Sequence, residues 1–278
     1  MLGSTLFITS LIKDVETNPS TKNIQLLLET SENDFKYIVE YANDVKSQIH
    51  GSDISFVINR NINYTNICSF KCNFCAFSKG KGHDDLRGKP YNISEDEIMR
   101  RTKEAIDRGA TEVCLQGGIH PKFSGETYLD IVRTIRSVSN SIHIHAFSPL
   151  EIDHGRKTLN ISVKDFLIEL KKAGLNSLPG TAAEILHDDI RSIICPDKLN
   201  SDEWVEIIKS AHSVGLPTTS TMMFGHVENM FHVAHHLMRL LDIQNSTNGL
   251  TEFVPLPFVA DEAPIYRRGK SRPGPTFK

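Results

Sequence analysis

The chain has 278 residues, of which 39% are hydrophobic, so it can bury a substantial core as one large domain or two small ones. Its formal net charge of −3 and its pI near 6.5 exclude a general attraction to nucleic acid or to an anionic membrane surface. The most apolar early stretch, residues 6–12, is too short to span a bilayer and lacks the flanks of a signal peptide, which predicts a cytoplasmic protein.

The start of the chain predicts a helical extension ahead of the main domain. Residues 1–33 are polar and weakly patterned, and we predict no regular structure for most of them. From residue 33 to residue 50, apolar side chains recur every three or four positions, as in an amphipathic helix. The predicted division is therefore an N-terminal helical extension, 1–52, followed by a domain of residues 53–278.

Strands and helices alternate through the rest of the chain. Six segments have the pattern of strands: 52–62, 110–118, 141–149, 175–180, 216–225 and 250–258. Helical patterns lie between them, at 94–109, 125–138, 162–174, 182–186, 202–215 and 226–244. This alternation indicates parallel strands joined by right-handed crossovers. Because no glycine fingerprint of a nucleotide-binding sheet follows the first strand, we favour a barrel over an open doubly wound sheet.

Two of the predicted strands have one apolar and one polar face. In residues 141–147, His143 and His145 share the polar face, and residues 112–116 alternate in the same way, with Gln116 on the polar side. A packed barrel interior is dominated by branched apolar residues, so a polar inner face indicates a ligand-holding cavity. The polar candidates for this lumen are His143, His145, Gln116, Thr219, Thr221 and Glu252.

The predicted fold is therefore an α/β protein built on a partial (β/α)6 TIM-type barrel with an N-terminal helical extension. No helical pattern follows the sixth predicted strand before residue 278. This predicts either a barrel that stays open at that edge or a sequence that is a fragment lacking its C-terminal covering segment.

Three of the five cysteines, Cys68, Cys72 and Cys75, follow the first predicted strand with three and then two residues between them. The clustering and the odd total argue against a disulfide framework and favour a metal. Three thiolates can hold three irons of a cubane cluster and leave the fourth iron open for a small molecule. Zinc with His83 as a fourth ligand is one alternative, although that spacing is unusual, and three unrelated cysteines are another.

The cysteine loop, with Phe74 just before its last cysteine, resembles the loop of the radical S-adenosylmethionine (SAM) enzymes. The resemblance implies a [4Fe-4S] cluster held by Cys68, Cys72 and Cys75, with SAM bound to the open iron through its amino and carboxylate groups. Electron transfer from such a cluster cleaves SAM, and the resulting 5′-deoxyadenosyl radical abstracts a hydrogen. The cluster is then expected at the carboxyl ends of the barrel strands.

The segment "LQGGIHP" resembles the glycine-rich segment that approaches the amino group of SAM in these enzymes. Gln116, Gly117 and Gly118 are then cofactor-binding residues together with Phe74, and the glycines allow a close backbone approach. Ile119 stands where an acidic residue is usual, so the resemblance assigns this role to backbone atoms. A plain strand-to-helix turn is the alternative.

Six longer stretches together resemble the second subunit of FO synthase: 59–80, 109–121, 143–152, 178–186, 218–228 and 251–258. The resemblance implies cleavage of L-tyrosine between Cα and Cβ and coupling of the 4-hydroxybenzyl radical to 5-amino-6-(D-ribitylamino)uracil, in deazaflavin (FO, coenzyme F-420) biosynthesis. It also implies an electron donor such as ferredoxin or flavodoxin, and a separate ring-closing FO synthase subunit as partner. The alternatives are that ring-closing enzyme, a menaquinone-pathway relative, or a non-catalytic zinc-stabilised domain.

Two side chains are candidates for a base near the substrate amine, because abstraction of hydrogen from an amine is easier when the amine is unprotonated. They are His145, in a predicted strand, and Glu184, in a predicted short helix; a structural hydrogen bond and a solvated carboxylate are the respective alternatives. The other predictions are helix capping or solvent contact for His226, surface positions for His232, His235 and His236, and burial for Cys114 and Cys195.

Overall fold

A computed structural model describes residues 2–78 and 89–276. The strands are β1 (Asn59–Asn63), β2 (Glu112–Gln116), β3 (His143–Ala146), β4 (Thr218–Phe224) and β5 (Leu250–Pro257). The helices are α1 (Leu2–Thr17), α2 (Thr21–Leu28), α3 (Glu32–His50), α4 (Glu95–Asp107), α5 (Gly125–Val138), α6 (Pro149–Leu159), α7 (Val163–Ala173), α8 (Asp188–Ile194), α9 (Ser201–Ser213), α10 (Met230–Thr247) and α11 (Pro264–Arg267). None of these helices has the length and apolar character needed to cross a membrane.

The strands are parallel and follow each other in chain order, as a partial barrel requires. β1, β2 and β3 form one sheet, and β4 pairs with β5. The segment between them, where a fourth strand is predicted, forms two isolated parallel bridges, His145 to Ser177 and Leu178 to Thr218. The bridges join the sheets into one layer, so the partial barrel is confirmed, with its fourth strand reduced to these contacts.

One face of this layer is apolar and packs under the helices. Val113, Leu115, Ile144 and Ala146 have no exposed surface and belong to the core that the strands share with α5 and α7. Exposure alternates along β2 with a period of two, as predicted. The face opposite these apolar side chains is therefore free to carry the polar ones.

The prediction of little structure in residues 1–33 is wrong, because α1 and α2 occupy most of that stretch. Ile8, Leu11 and Ile12 lie on one face of α1 and are buried, so helical spacing is present, although the exposed apolar residues Leu6 and Phe7 obscure it. α1 packs against α3, whereas α2 packs against α10 of the barrel. The predicted division at residue 52 stays a prediction.

The predicted short helix around Glu184 is wrong. Ala182 and Glu184 have left-handed backbone angles, with φ of 61° and 45°, which a right-handed helix excludes. The buried Arg191 guanidinium holds this irregular backbone: its Nη1 donates to the Ala183 carbonyl at 2.5 Å, and its Nε donates to the Leu199 carbonyl at 2.9 Å. The helix of this region is α8, which starts only after the irregular segment.

Two helix starts also differ from prediction. α6 is absent from the prediction, although Ser148 and Glu151 form a capping box at its first turn. α10 begins at Met230, after the Asn229 cap, and not at His226. His226 instead lies in the turn that connects β4 to α10.

The predictions of solvent contact or capping for His226 and of a surface position for His236 are wrong, since neither side chain has exposed surface. His226 Nδ1 accepts a hydrogen bond from the Val227 backbone N–H at 2.8 Å, and His236 Nδ1 accepts one from the Leu186 backbone N–H at 3.0 Å. Burial lowers the pKa of both rings, and that of His236 falls to about 3.

We expect the free energy of unfolding to fall as the pH is lowered from neutrality, in part because of His236. A histidine whose pKa drops on folding binds its proton more readily in the unfolded chain, so its stabilising contribution is complete above the unfolded pKa of about 6.5 and is lost as the pH approaches 3. In His236→Gln, the free energy of unfolding should fall by about one to a few kcal/mol less over the same pH range. Urea unfolding at several pH values measures the slope. The more exposed His232→Gln is the control, and equal slopes in the two variants would contradict the assignment.

Candidate active site

The cysteine loop lies between β1 and α4, at the carboxyl end of the first strand, where the sequence predicts it. Its middle is fastened to the end of α8, because Asn73 N donates to the Ile194 carbonyl at 2.7 Å. Cys68, Cys72 and Cys75 are unpaired and partly buried, and all three line one cavity of about 400 Å³. The structure therefore brings the three predicted ligands to one place.

The arrangement of the three sulfur atoms suits a cluster better than a single ion. Within residues 2–78 and 89–276, they are not a group of ligand atoms lying within 4.8 Å of one another, whereas sulfurs around one tetrahedral zinc lie roughly 3.8 Å apart. Cys68 Sγ accepts a hydrogen bond from the Ile119 backbone N–H at 3.3 Å. Burial raises the pKa of Cys72, so its thiolate needs the positive charge of a bound metal. His83, the alternative zinc ligand, lies outside the described residues.

Gly117 and Gly118 lie so close to the cysteine loop that a side chain has no room. A Cβ at Gly118 would lie 2.4 Å from the Ile67 carbonyl oxygen and 2.9 Å from the Cys68 Cβ. A Cβ at Gly117 would lie 2.3 Å from the Tyr64 ring. Neither glycine has a positive φ, so the requirement is steric and not conformational. The two predicted cofactor-binding segments meet at this contact.

A buried carboxylate fastens these segments together. Glu151, which is 1% exposed, accepts hydrogen bonds on one oxygen from the Tyr64 hydroxyl and from Gly117 N at 3.2 Å. Its other oxygen accepts from Ser148 N at 2.7 Å. Burial raises the pKa of Glu151, and the hydrogen bonds oppose that rise. Sequence reasoning missed this residue; the capping box was the available signal.

A second buried pair lies beside the cysteines. Lys198 Nζ donates to Glu184 Oε1 at 2.6 Å and lies 5.1 Å from the centroid of the Phe74 ring, over its face. Burial alone would raise the pKa of Glu184, but the Lys198 ammonium and the Arg191 guanidinium outweigh it and hold the pKa below its usual value. Burial likewise opposes the charge of Lys198, yet the Glu184 carboxylate raises its pKa. Both groups are therefore charged at neutral pH. The sequence analysis did not predict a role for Lys198.

A second cavity of about 550 Å³ adjoins the first, and it is largely apolar. The two cavities share Phe74, Phe77, Thr181, Ala182 and Glu184. The other apolar walls of the second cavity come from the carboxyl ends of β4 and β5 and the residues after them: Met223, Leu256, Pro257, Phe258 and Val259. The cavity that holds the cysteines therefore continues into a more strongly apolar one.

The predicted lumen residues divide between two levels. Gln116 lines the cysteine cavity, whereas His145 lines neither cavity and lies deeper in the layer. His145 Nδ1 is 2.7 Å from Ser177 Oγ, and burial lowers the pKa of His145 to about 4. Thr221 lines the apolar cavity, and Glu252 lines neither. Of the two predicted bases, the structure places only Glu184 beside the cysteines.

Comparison with known proteins agrees with this geometry. The sequence profile of the radical SAM superfamily matches residues 62–240, more than half of the chain. The chain is 45% identical over 259 residues to the 5-amino-6-(D-ribitylamino)uracil–L-tyrosine 4-hydroxyphenyl transferase of Methanothermobacter thermautotrophicus, which covers 93% of this chain and 70% of that protein. It is 43% identical over 274 residues to the FO synthase of Mycobacterium leprae, covering 98% of this chain but only 31% of that longer protein.

The fold has relatives among solved structures. The [FeFe]-hydrogenase maturase HydG from Carboxydothermus hydrogenoformans superposes with a TM-score of 0.67 at 16% identity, over 92% of this chain and 58% of that one. Such a low identity shows the fold alone. The family assignment rests on the superfamily profile and on the 45% identity to a relative of which this chain spans 70%. The chain belongs to the radical SAM superfamily and, within it, to the family of the 5-amino-6-(D-ribitylamino)uracil–L-tyrosine 4-hydroxyphenyl transferases.

Proposed function

We propose that the chain is a transferase that cleaves L-tyrosine between Cα and Cβ and joins the 4-hydroxybenzyl group to 5-amino-6-(D-ribitylamino)uracil. The observation that carries the proposal is the meeting of Cys68, Cys72, Cys75 and the Gly117–Gly118 segment on one cavity, in a chain 45% identical to a relative named for this transfer. The five free cysteines fit a reducing cytoplasm, and a ferredoxin or flavodoxin would supply electrons. The product would pass to a ring-closing FO synthase subunit.

The cysteine loop fits a [4Fe-4S] cluster with Cys68, Cys72 and Cys75 as its ligands, because the sulfurs are spread too widely for one ion and face a common cavity. Gln116 and the backbone of Gly117 and Gly118 border the same cavity and would hold the amino group of SAM. The cluster and SAM, when bound, supply a hydrogen-abstracting 5′-deoxyadenosyl radical.

Lys198 and Glu184 would orient the charged groups in the site. Lys198 lines the cysteine cavity, and its ammonium has spare donors beside the Glu184 bond, so we assign it to a carboxylate of the methionyl part of SAM. Glu184 lines both cavities and is ionised, so it can accept a hydrogen bond from the tyrosine amine, although the Lys198 ammonium beside it lowers its strength as a base. His145 lies below both cavities, which makes Glu184 the better base of the two.

The apolar cavity would take the adenosyl part of SAM. Phe74 stands between the two cavities and offers a ring face for stacking. Met223, Leu256 and Phe258 give the space beyond it an apolar wall. A radical that abstracts hydrogen needs surroundings poor in solvent and stray hydrogen donors, because both quench it, and this wall would contribute to such surroundings.

Anaerobic reconstitution of the cluster tests the function directly. SAM, a reductant and tyrosine are supplied, and the ribityl diaminouracil is varied while deoxyadenosine and product mass are measured. A product with the mass of the benzyl-transfer adduct, formed only with both substrates, supports the proposal. Deoxyadenosine without that product indicates a sibling enzyme, and no deoxyadenosine at all contradicts both.

We expect the variant Lys198→Met/Glu184→Gln to weaken SAM binding about ten- to a hundred-fold, the usual worth of a hydrogen bond to a charged group. The double change is needed because Lys198→Met alone leaves the buried Glu184 carboxylate unpaired and destabilises the fold. Equilibrium binding of SAM to the reconstituted protein measures the effect. Lys172→Met, at an exposed lysine paired with Glu169, is the control. Unchanged SAM affinity in the double variant would remove Lys198 from the site.

A further inference from the structure

Three side chains of types that can bind a metal converge at the amino end of the lumen, away from the cysteine loop. Glu112 is the first residue of β2, and His143, the first residue of β3, is its register partner. His145 follows two residues later on the same face. One ligand atom of each lies within 4.8 Å of the others, and no other three His, Cys, Asp or Glu side chains of residues 2–78 and 89–276 meet in this way.

The spacing is close to that of a formed site. His143 Nε2 lies 3.8 Å from Glu112 Oε2. Two ligands with bonds of about 2.1 Å to one ion are at most roughly 4.2 Å apart, so this pair already spans an ion. Because the parallel register of β2 and β3 fixes all three backbone positions, small side-chain rotations would complete the site.

Neighbouring side chains orient the ligands. Ser177 Oγ lies 2.6 Å from His143 Nε2 and 2.7 Å from His145 Nδ1, and Asn59 Nδ2 donates to Glu112 Oε1 at 3.4 Å. A bound ion would replace Ser177 at His143 Nε2, so the Ser177 hydroxyl would then bond to His145 alone. Such outer hydrogen bonds fix the tautomer and direction of metal-binding histidines.

The chemical types of the three side chains also suit a metal. The Glu112 carboxylate is partly buried, with its side chain 17% exposed, so it is not a freely solvated surface acid. Two imidazoles and one carboxylate form a mixed set that divalent transition metals favour over Ca²⁺ and Mg²⁺.

We propose that Glu112, His143 and His145 bind one divalent transition-metal ion of the Zn²⁺, Co²⁺ or Ni²⁺ class, at a site separate from the cysteine loop. Glu112 and Gln116 are the two ends of β2, four residues and roughly 13 Å apart, and only Gln116 borders the cysteine cavity. Three protein ligands leave coordination positions open. The ion therefore offers them to an oxygen or nitrogen donor in the lumen, at the end opposite the cluster.

A second group of histidines provides a matched control. The His187 ring centroid lies 4.7 Å from that of His232 and 5.0 Å from that of His235, but their ligand atoms do not meet within 4.8 Å of one another. The proposal predicts that the lumen site binds the ion and that this group does not. The two sites share no element, so substitutions at one leave the other intact.

The test uses the full chain with Cys68, Cys72 and Cys75 replaced by Ala, so that no cysteine of the loop competes for metal. After treatment with a chelator, Zn²⁺ and Co²⁺ are titrated calorimetrically, and circular dichroism confirms the fold of every variant. We expect one ion per chain, and Co²⁺ absorption without an intense thiolate band. His143→Ala and Glu112→Gln should each weaken binding about a hundred-fold or more, and Ser177→Ala about ten-fold.

The control His232→Gln/His235→Gln should leave the affinity unchanged. Metal analysis of the reconstituted wild-type protein should find one such ion beside the iron when Zn²⁺ is supplied. Absence of stoichiometric binding overturns the proposal, as does binding that survives His143→Ala and Glu112→Gln, or binding that is lost in the His232/His235 control. These readouts do not depend on transferase activity, so the metal site and the proposed function fail independently.

Discussion

A Cys72→Ala variant is expected to release no measurable 5′-deoxyadenosine from SAM. Cys72 is one of three thiols on the cysteine cavity, and two thiolates do not hold a cubane that needs three. The variant should lose most of its bound iron and sulfide and its visible absorption, while circular dichroism stays that of the wild type. Deoxyadenosine is measured by chromatography after anaerobic reconstitution.

The matched control for this variant is Cys114→Ala. Cys114 is also unpaired and partly buried, but it lies on β2, outside the cysteine loop. It should keep the iron content and the deoxyadenosine yield of the wild type. If Cys72→Ala still cleaves SAM, neither the cluster assignment nor the proposed transferase stands.

Gly118→Ala should lower the rate of SAM cleavage about a hundred-fold, the usual effect of displacing reacting groups by about 1 Å. The added methyl would lie 2.4 Å from the Ile67 carbonyl oxygen, which is backbone and cannot rotate away. The glycine segment must therefore move away from the cysteine loop and from the cofactor proposed to bind beside it. Initial rates of deoxyadenosine formation at saturating SAM measure the effect, together with the iron content.

Gly109→Ala separates this effect from a general loss of stability. Gly109 has φ of +82°, so alanine there costs about 1 kcal/mol of conformational energy, but its added Cβ meets no atom within 4 Å. This variant should be less stable to urea and still cleave SAM at the wild-type rate. Equal rates in Gly118→Ala and the wild type would show that the close approach is not needed for cofactor binding.

The barrel and the meeting of the three cysteines at its carboxyl edge were accessible from sequence because each depends on local regularity. Alternation along β2, with Val113 and Leu115 facing the helices, indicates a half-buried parallel strand. The cysteine spacing needs no distant partner, and its position after β1 places it at the carboxyl edge. Gly117 and Gly118 were found through resemblance, while the steric reason for them became visible only in the structure.

The features that the sequence did not predict depend on contacts between residues that are far apart in the chain. Lys198 and Glu184 are fourteen residues apart, on opposite sides of α8, and no periodic pattern relates them. The left-handed angle of Ala182 has no sequence signature, since alanine ordinarily favours helix. Glu151 did carry a local signal, its capping box, but its bond to Tyr64 spans eighty-seven positions. Such tertiary partners override local propensity.

The Arg191 guanidinium has a consequence for how this part of the chain tolerates change. By binding carbonyls on both sides of α8, at Ala183 and Leu199, it closes the intervening residues into a loop of fixed length. Point substitutions on the exposed side of that loop, as at Asp189, leave the closure intact. Insertions or deletions would break this closure, because they change the spacing and direction at which Glu184 and Lys198 face each other. Length, more than composition, is therefore the property of this segment that evolution and protein engineering must preserve.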